Sequence, residues 1–144
     1  MIGRLRGVVV ISDVYSITIP QDIAIYAVAQ KVISAESGIQ NPFCVILRGH
    51  TETTCLIEKA LAGKLSESIG PKIIAQQAGL AALIVTREIV HQTEIGGLSY
   101  PLQVLAEHGI LARNVTATKH EEVIVIDDKD ADMAASILRK AMER

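Results

Sequence analysis

The stretch "PFCVILRGHTETTCLIEKALAG" (residues 42–63) decides the predicted fold, because two apolar runs in it are separated by a cluster of polar residues. The apolar and β-branched residues of "PFCVILRG" predict a buried strand. The segment "TETTCLIEKALAG" predicts a helix that ends at Gly63, with Lys59 and Lys64 near its negative pole. This stretch therefore indicates a strand that is followed directly by a helix.

The rest of the chain continues the same alternation of strands and helices. Further strands are predicted where β-branched residues are dense, in "RGVVVISDV" (6–14), "LAALIVTREIV" (80–90) and "EEVIVIDD" (121–128), with an edge strand in "ARNVTATK" (112–119). Further helices are predicted in "PQDIAIYAVAQKVISAESG" (20–38), "GPKIIAQQAG" (70–79), "LSYPLQVLAEHG" (98–109) and "DADMAASILRKAMER" (130–144).

This order of elements predicts an α/β fold. We expect a single three-layer domain over residues 1–144, with a largely parallel sheet of about five strands and helices on both faces. The short gap between the last two strands predicts one antiparallel hairpin near the C-terminus, around Lys119 and His120.

Composition excludes several classes of protein. The net charge is −2, Trp is absent and no basic block occurs, so nucleic-acid binding is not expected. No apolar stretch is long enough for a membrane helix. With 49% hydrophobic residues, part of the surface is expected to lie in a homo-oligomer interface. Cys44 and Cys55 suit reduced, buried thiols, which indicates a cytoplasmic protein.

Polar residues cluster where three of the predicted strands end. Asp13 ends the first strand, and the polar residues from Arg48 to Thr51 end the second. Arg87, Glu88 and His91 end the third. Because ligands bind outside the carboxyl ends of parallel strands, we expect these side chains to meet at one rim of the sheet.

The group that begins at Arg48 predicts an anion site. Gly49 allows backbone to approach a ligand, and Thr51 and Thr53 place hydroxyls where the predicted helix offers free N–H groups. The arginine then supplies a charge for phosphate or carboxylate. The alternative is structural: a threonine caps the helix and Arg48 lies in solvent. The glycine spacing is not that of a P-loop.

Three other features of the sequence could carry chemistry. Asp13 and His50 are candidates for a general base, while Asp13 is equally suited to capping a turn. Gly96 and Gly97 form either an anion-binding nest or a plain loop. The four histidines lack the spacing of metal ligands, so no metal site is predicted and no cofactor is identified.

Two family resemblances are present in the C-terminal third. "EIGGLSYPLQVLAEHGILARNVT" (94–116) resembles phosphoenolpyruvate-utilising swivelling domains, whose phosphorylated histidine would fall near Tyr100 or Pro101, where no histidine stands. The succession of helix, hairpin and helix resembles amino-acid-binding regulatory domains of the ACT type. Many α/β chains share that rhythm, so our interpretation rests on neither resemblance.

The sequence leaves three hypotheses for function. The first is a small cytoplasmic protein that binds an anionic metabolite, either phosphate or carboxylate, at the C-terminal ends of its strands. The second makes the same rim an enzyme site, with His50 or Asp13 as general base. The third is a structural or assembly subunit of a homo-oligomer. The ligand, any reaction, the strand order and the subunit number stay open.

Overall fold

The computed structural model describes residues 4–35, 42–88 and 99–142. Six strands and four helices follow one another in this part of the chain: β1 (Arg4–Pro20), α1 (Ile23–Ala35), β2 (Cys44–Arg48), β3 (Glu52–Glu58), α2 (Lys59–Ile69), β4 (Ala75–Glu88), α3 (Ser99–Glu107), β5 (Ala112–Ala117), β6 (Glu121–Asp127) and α4 (Ala131–Met142). Single 3-10 turns, Gly70–Lys72 and Asp128–Asp130, precede β4 and α4.

The sheet is antiparallel, and the predicted largely parallel sheet is wrong. The strands hydrogen-bond in the order β2-β3-β1-β4-β6-β5. Every strand pair whose register the structure describes is antiparallel: β1 with β3, β2 with β3, β4 with β6, and β5 with β6. The predicted three-layer arrangement is wrong with it, although the predicted hairpin of the last two strands is confirmed.

The contacts within the chain divide it into two compact units. The central unit comprises Asp13–Gly79, and the terminal unit comprises the described residues of Met1–Ser12 and Leu80–Arg144. β1 and β4 each contribute residues to both units. Each strand has a positive φ where the division falls, 53° at Asp13 and 73° at Gly79. The single domain predicted over 1–144 stays a prediction.

The central unit has the order β-α-β-β-α-β. It takes the second part of β1, then α1, β2, β3, α2 and the first part of β4. Ile17 of β1 and Ile57 of β3 are fully buried on the sheet face that both helices cover. Ala29 of α1 and Leu65 of α2 complete this core. Both helices therefore lie on one face of the sheet within this unit, and not on two faces as predicted.

The terminal unit has the same order, with its fourth strand taken from the start of the chain. It uses the second part of β4, then α3, β5, β6 and α4, while residues 4–12 of β1 lie beside β4. Arg139 of α4 fixes this segment, since its Nη2 donates a hydrogen bond of 3.1 Å to the carbonyl oxygen of Val8. Leu83 and Ile124 are fully buried beneath Leu105 and Leu138 of the two helices.

Several predicted elements have different bounds or types in the structure. The predicted helix over 51–63 is wrong in its first half, because Glu52–Glu58 is strand β3 and the helix begins at Lys59. The predicted helix over 70–79 is wrong as well, since only Gly70–Lys72 is helical and β4 begins at Ala75. The helices α1, α3 and α4 form where the sequence predicts them. Within the described residues, no helix is long and apolar enough to cross a membrane.

A bidentate ion pair between β5 and β6 gives the unfolding free energy a pH dependence. The Arg113 guanidinium donates to both carboxylate oxygens of Asp127, at 3.1 and 3.2 Å. These hydrogen bonds hold the pKa of Asp127 below its ordinary value of 3.8. A carboxyl group whose pKa is lower in the folded state stabilises the fold above its unfolded pKa, and this contribution disappears as the pH falls through the folded pKa.

We therefore expect Asp127→Asn to melt slightly below the wild type at pH 7, by the small amount typical of an exposed pair. The difference between the two melting temperatures should begin to close as the pH falls below about 3.8, and it should vanish once the pH is below the lowered pKa of Asp127 in the folded state. Melts followed by circular dichroism across this range test the pair. A constant difference at every pH would show that the pair makes no electrostatic contribution.

Candidate functional site

The connection between β1 and α1 of the central unit is held by a capping side chain. Asp22 precedes the helix, and its Oδ1 accepts hydrogen bonds from the backbone N–H groups of Ala24 (2.8 Å) and Ile25 (3.3 Å). A carboxylate in this position satisfies donors that have no partner within the helix and also complements the positive end of the helix dipole. The helix thus begins at a fixed point directly after β1.

The same connection is fastened to the turn between β2 and β3. The backbone N–H of Gln21 donates to the carbonyl oxygen of Thr51 at 3.1 Å. The hydroxyl of Thr53, only 1% exposed, donates to Oε1 of Gln21 at 2.7 Å. Because Thr53 is buried, loss of this bond would leave a polar group without a partner. We call this region, residues 20–26 together with 48–53, the α1 edge.

The turn at the α1 edge requires a glycine. The N–H of Gly49 donates to the carbonyl oxygen of Glu52 at 2.8 Å, which closes the turn. A Cβ added at Gly49 would lie 2.9 Å from that same backbone oxygen. Backbone atoms cannot move aside as a flexible side chain can, so any larger residue must displace the turn. The role predicted for Gly49 from the sequence, close approach of backbone to a ligand, stays a prediction.

Arg48 provides the positive charge at this edge. Its guanidinium carbon lies 4.3 Å from the centroid of the Tyr26 ring, within the range of a cation–π interaction. The Tyr26 hydroxyl accepts a hydrogen bond of 2.7 Å from Nε2 of Gln30, which holds the ring in place. Arg48 itself is exposed. The edge therefore presents an oriented, exposed guanidinium, a group suited to a carboxylate or phosphate.

The structure brings one part of the predicted rim together and separates another. Arg48, Gly49, His50 and Thr51 lie in or beside the β2–β3 turn and are exposed. Asp13 is elsewhere, in the interior of β1. Arg48 pairs with β3 at the level of Ile19, six residues beyond Asp13, which is about 20 Å along the strand. These residues were expected on one rim because the strands were assumed to be parallel, and that assumption is wrong.

The remaining predicted residues belong to the terminal unit or lie outside the described residues. Arg87 and Glu88 end β4, where the structure describes their backbone. His91, Gly96 and Gly97 fall in the range 89–98, outside the described residues. The individual roles proposed for these five residues, and the base role proposed for Asp13 or His50, stay predictions.

Sequence reasoning missed the residues that organise the α1 edge. Gln21, Asp22 and Tyr26 were read as part of a helix that starts at Pro20, whereas Pro20 ends β1. One signal was available: an aspartate directly before an apolar helical run is a typical N-cap. No local signal identifies Gln21 or Tyr26, because their partners are 32 and 22 positions away in the sequence.

The two cysteines of the central unit form no disulfide; Cys55 is buried and Cys44 is half-buried. Burial, and to a lesser extent the neighbouring Cys44, raises the pKa of the Cys55 thiol to about 11. Burial also raises the pKa of Cys44. Both thiols are therefore protonated at neutral pH, which makes them poor nucleophiles and poor metal ligands. Among the described residues, no three His, Cys, Asp or Glu side chains come together as a metal site.

The two units define the class of fold. Each has two helices on one face of an antiparallel sheet in the order β-α-β-β-α-β, and each has the strand order 2-3-1-4 when its own strands are counted. In the terminal unit, the fourth strand comes from the beginning of the chain. This element order, on an antiparallel sheet, defines each unit as a ferredoxin-like α/β fold.

Solved structures similar to this chain include aspartate kinases and regulatory subunits of aspartate kinase. The ligand-free regulatory subunit from Thermus thermophilus has a TM-score of 0.71 at 17% identity, covering 95% of this chain and 97% of its own. Clostridium acetobutylicum aspartate kinase, an allosteric enzyme, has a TM-score of 0.75 at 13% identity, covering 98% and 35%. E. coli aspartokinase III, in complex with lysine and aspartate, has a TM-score of 0.67 at 12% identity, covering 99% and 34%.

These likenesses show the fold of the chain. It spans nearly the whole length of the Thermus thermophilus regulatory subunit and about a third of the two kinases. No protein-family model matches the sequence, and no curated protein matches it as a relative.

Proposed function

We propose that the chain is a regulatory module that binds an amino acid as its effector. One observation carries the proposal: the paired units match a separate regulatory subunit of aspartate kinase over 95% of this chain and 97% of that one. A shared fold does not by itself fix a function, so the ligand chemistry has to be supported at a site.

The α1 edge of the central unit supports this ligand class. An amino acid carries a carboxylate, which is an anion that the exposed Arg48 guanidinium suits. The carboxylate of Asp22 and the amide oxygen of Gln21 lie next to the same helix start and accept hydrogen bonds. Acceptors of this kind suit the ammonium group. The proposal thus narrows the small anionic metabolite predicted from the sequence to a zwitterion.

The output of such a module is a change in a catalytic partner. Two similar proteins have the arrangements that such an output requires: one is a separate regulatory subunit, and the other is a kinase about three times as long as this chain. We propose that this chain works in one of these two ways, in the cytoplasm and as a homo-oligomer, with effector binding passed to the catalytic part. The enzyme alternative with His50 or Asp13 as base gains no supporting contact in the described residues.

A thermal-shift screen of the chain against the common L-amino acids tests the proposal. We expect one or a few of them to raise the melting temperature, because a ligand that binds only the folded state stabilises it. The D-enantiomers of the active compounds are the control and should have smaller effects. If no amino acid shifts the melt, the proposed ligand class is wrong.

Arg48→Ala is expected to weaken binding of the active amino acid about tenfold, the effect of losing one hydrogen-bonded charge. The matched control is Lys31→Ala, which removes an exposed cation on α1 about one and a half turns beyond the edge. Titration calorimetry of both variants measures the difference. Equal affinities in the two variants would show that Arg48 does not bind the carboxylate of the amino acid.

A further inference from the structure

The terminal unit contains a cleft that the proposed function does not use. It lies between α3 and α4 and encloses about 580 Å³, within the range of small-molecule sites. The residues that line it recur every three or four positions on each helix, so both helices turn one stripe toward it. Val104, Ile137 and Met133 form its apolar surface, and Met133 is 52% exposed although it is a large apolar side chain.

The cleft also carries two opposite charges. Glu107 of α3 and Lys140 of α4 line it, and both are exposed. Neither makes a hydrogen bond or an ion pair with any residue that the structure describes. His108, which also lines the cleft, is held within α3 by a hydrogen bond of 2.9 Å between its Nδ1 and the carbonyl oxygen of Val104. Two charges are thus available to a ligand.

The direction of the helices places these charges at opposite ends of the cleft. β4 and β5 both run antiparallel to β6, so α3, which connects them, runs opposite to β4. α4 follows β6 and runs opposite to it, which makes the two helices antiparallel. Glu107 and Lys140 each lie near the C-terminal end of their helix. At 1.5 Å per residue over the lining stripes, they are separated by about 10 Å along the cleft.

We infer that this cleft binds an elongated zwitterion, a compound with a carboxylate at one end, an ammonium at the other and methylene groups between them. The carboxylate lies at the Lys140 end and the ammonium at the Glu107 end, while the chain packs along Val104 and Ile137. Basic amino acids and ω-amino acids have this form. The inference takes its ligand class from the proposed function but concerns a site in the other unit.

The corresponding groove of the central unit differs from this cleft in its volume and in its charges. The space between α1 and α2 encloses about 150 Å³, and Lys72 is the one charged residue among its described lining. It has neither the volume nor the pair of opposite charges. The predicted selectivity for an elongated zwitterion is therefore a property of the α3–α4 cleft.

Four compounds of similar chain length separate the contributions of the two charges. L-lysine and 6-aminohexanoate have both charged ends, hexanoate has only the carboxylate, and 1,5-diaminopentane has only ammonium groups. In methyl-labelled full-length protein, the first two should shift the resonances of Val104, Ile137 and Met133 in a saturable way. The other two should bind more weakly, by about fivefold or more, the effect of one partly solvated charge pair.

Charge exchange provides the decisive variants. Glu107→Lys and Lys140→Glu should each weaken 6-aminohexanoate binding about fivefold or more, because one end of the ligand then meets a like charge. The double variant restores one charge of each sign and should recover binding with the ligand reversed. Recovery in the double variant excludes simple unfolding as the cause of the single losses.

Three results would overturn the inference. One is hexanoate binding as tightly as 6-aminohexanoate. Another is a response to L-lysine confined to Ile25 and Val28 of the central unit, which would leave the proposed function standing. The third is a set of methyl resonance shifts at the cleft that depend on the protein concentration and not on the added compound. Such shifts would show that the cleft is an interface between two copies of this chain. If no compound shifts any resonance and the amino-acid screen is also negative, both proposals fail together.

Discussion

Replacing Leu138 with alanine is expected to lower the free energy of unfolding by about 2–5 kcal/mol, the usual cost of removing a fully buried leucine. Leu138 is 0% exposed and lies in the core that α4 shares with Leu83 and Ile124 of the sheet. Rigid neighbours on several sides prevent the core from collapsing into the space, so the cavity adds to the lost burial. Urea unfolding followed by circular dichroism measures the change.

The matched control is Met133→Ala on the same helix. Met133 is 52% exposed, so its truncation should change the unfolding free energy by less than about 0.5–1 kcal/mol. The two variants remove comparable apolar volume from opposite faces of α4. Equal losses, or a larger loss at Met133, would contradict the orientation of α4 over the sheet.

The second large effect is expected at two glycines, with opposite signs. Gly49→Ala should cost about 1–3 kcal/mol, because the added Cβ would lie 2.9 Å from the Glu52 carbonyl oxygen and the turn must shift. Gly63→Ala, within α2, should instead stabilise the protein by about 0.5–1 kcal/mol. Its Cβ would meet no atom within 4 Å and its φ is not positive, so only the gain in helix propensity remains.

Thermal melts of the two variants compare these changes directly. Gly49→Ala should also weaken effector binding, since the turn that it displaces carries Arg48. Gly63→Ala should leave binding unchanged. A Gly49→Ala variant that melts with or above the wild type would mean that the β2–β3 turn does not have the close approach seen in the structure.

The sequence predicts single elements well where one signal dominates. Strand β6 follows directly from a dense β-branched run, and helix α4 forms close to its predicted bounds. The hairpin before α4 follows from the short connection between two strands. These features depend on neighbours in the sequence, and local reasoning therefore recovers them.

Residues 52–58 were predicted wrongly because two local signals compete there. "TETT" has the hydroxyl residues of a helix start, and the apolar residues that follow continue into the true helix α2. Thr53, Thr54 and Ile57 are β-branched, which favours a strand once β1 and β2 lie on either side. Pairing with β1 and β2 therefore makes this segment a strand. Because β2 and β3 are then joined by a turn, they form an antiparallel hairpin and not the predicted parallel βαβ unit.

Within the candidate site, sequence reasoning groups residues that are close in the sequence and misplaces those that only strand pairing positions. Arg48, Gly49 and Thr53 were singled out as neighbours in the sequence, and they remain together at the α1 edge. Asp13 was added through the assumption of parallel strands, and the antiparallel register places it about 20 Å away along β1. Long-range pairing information is what the sequence lacked.

Equilibrium dialysis of the full chain against labelled amino acids tests the central claim most directly, because it measures binding without depending on stability. The account predicts saturable binding of at least one L-amino acid, weakened in Arg48→Ala if the α1 edge holds its carboxylate. The absence of saturable binding for every amino acid tested would contradict the account, whatever the likeness of the fold.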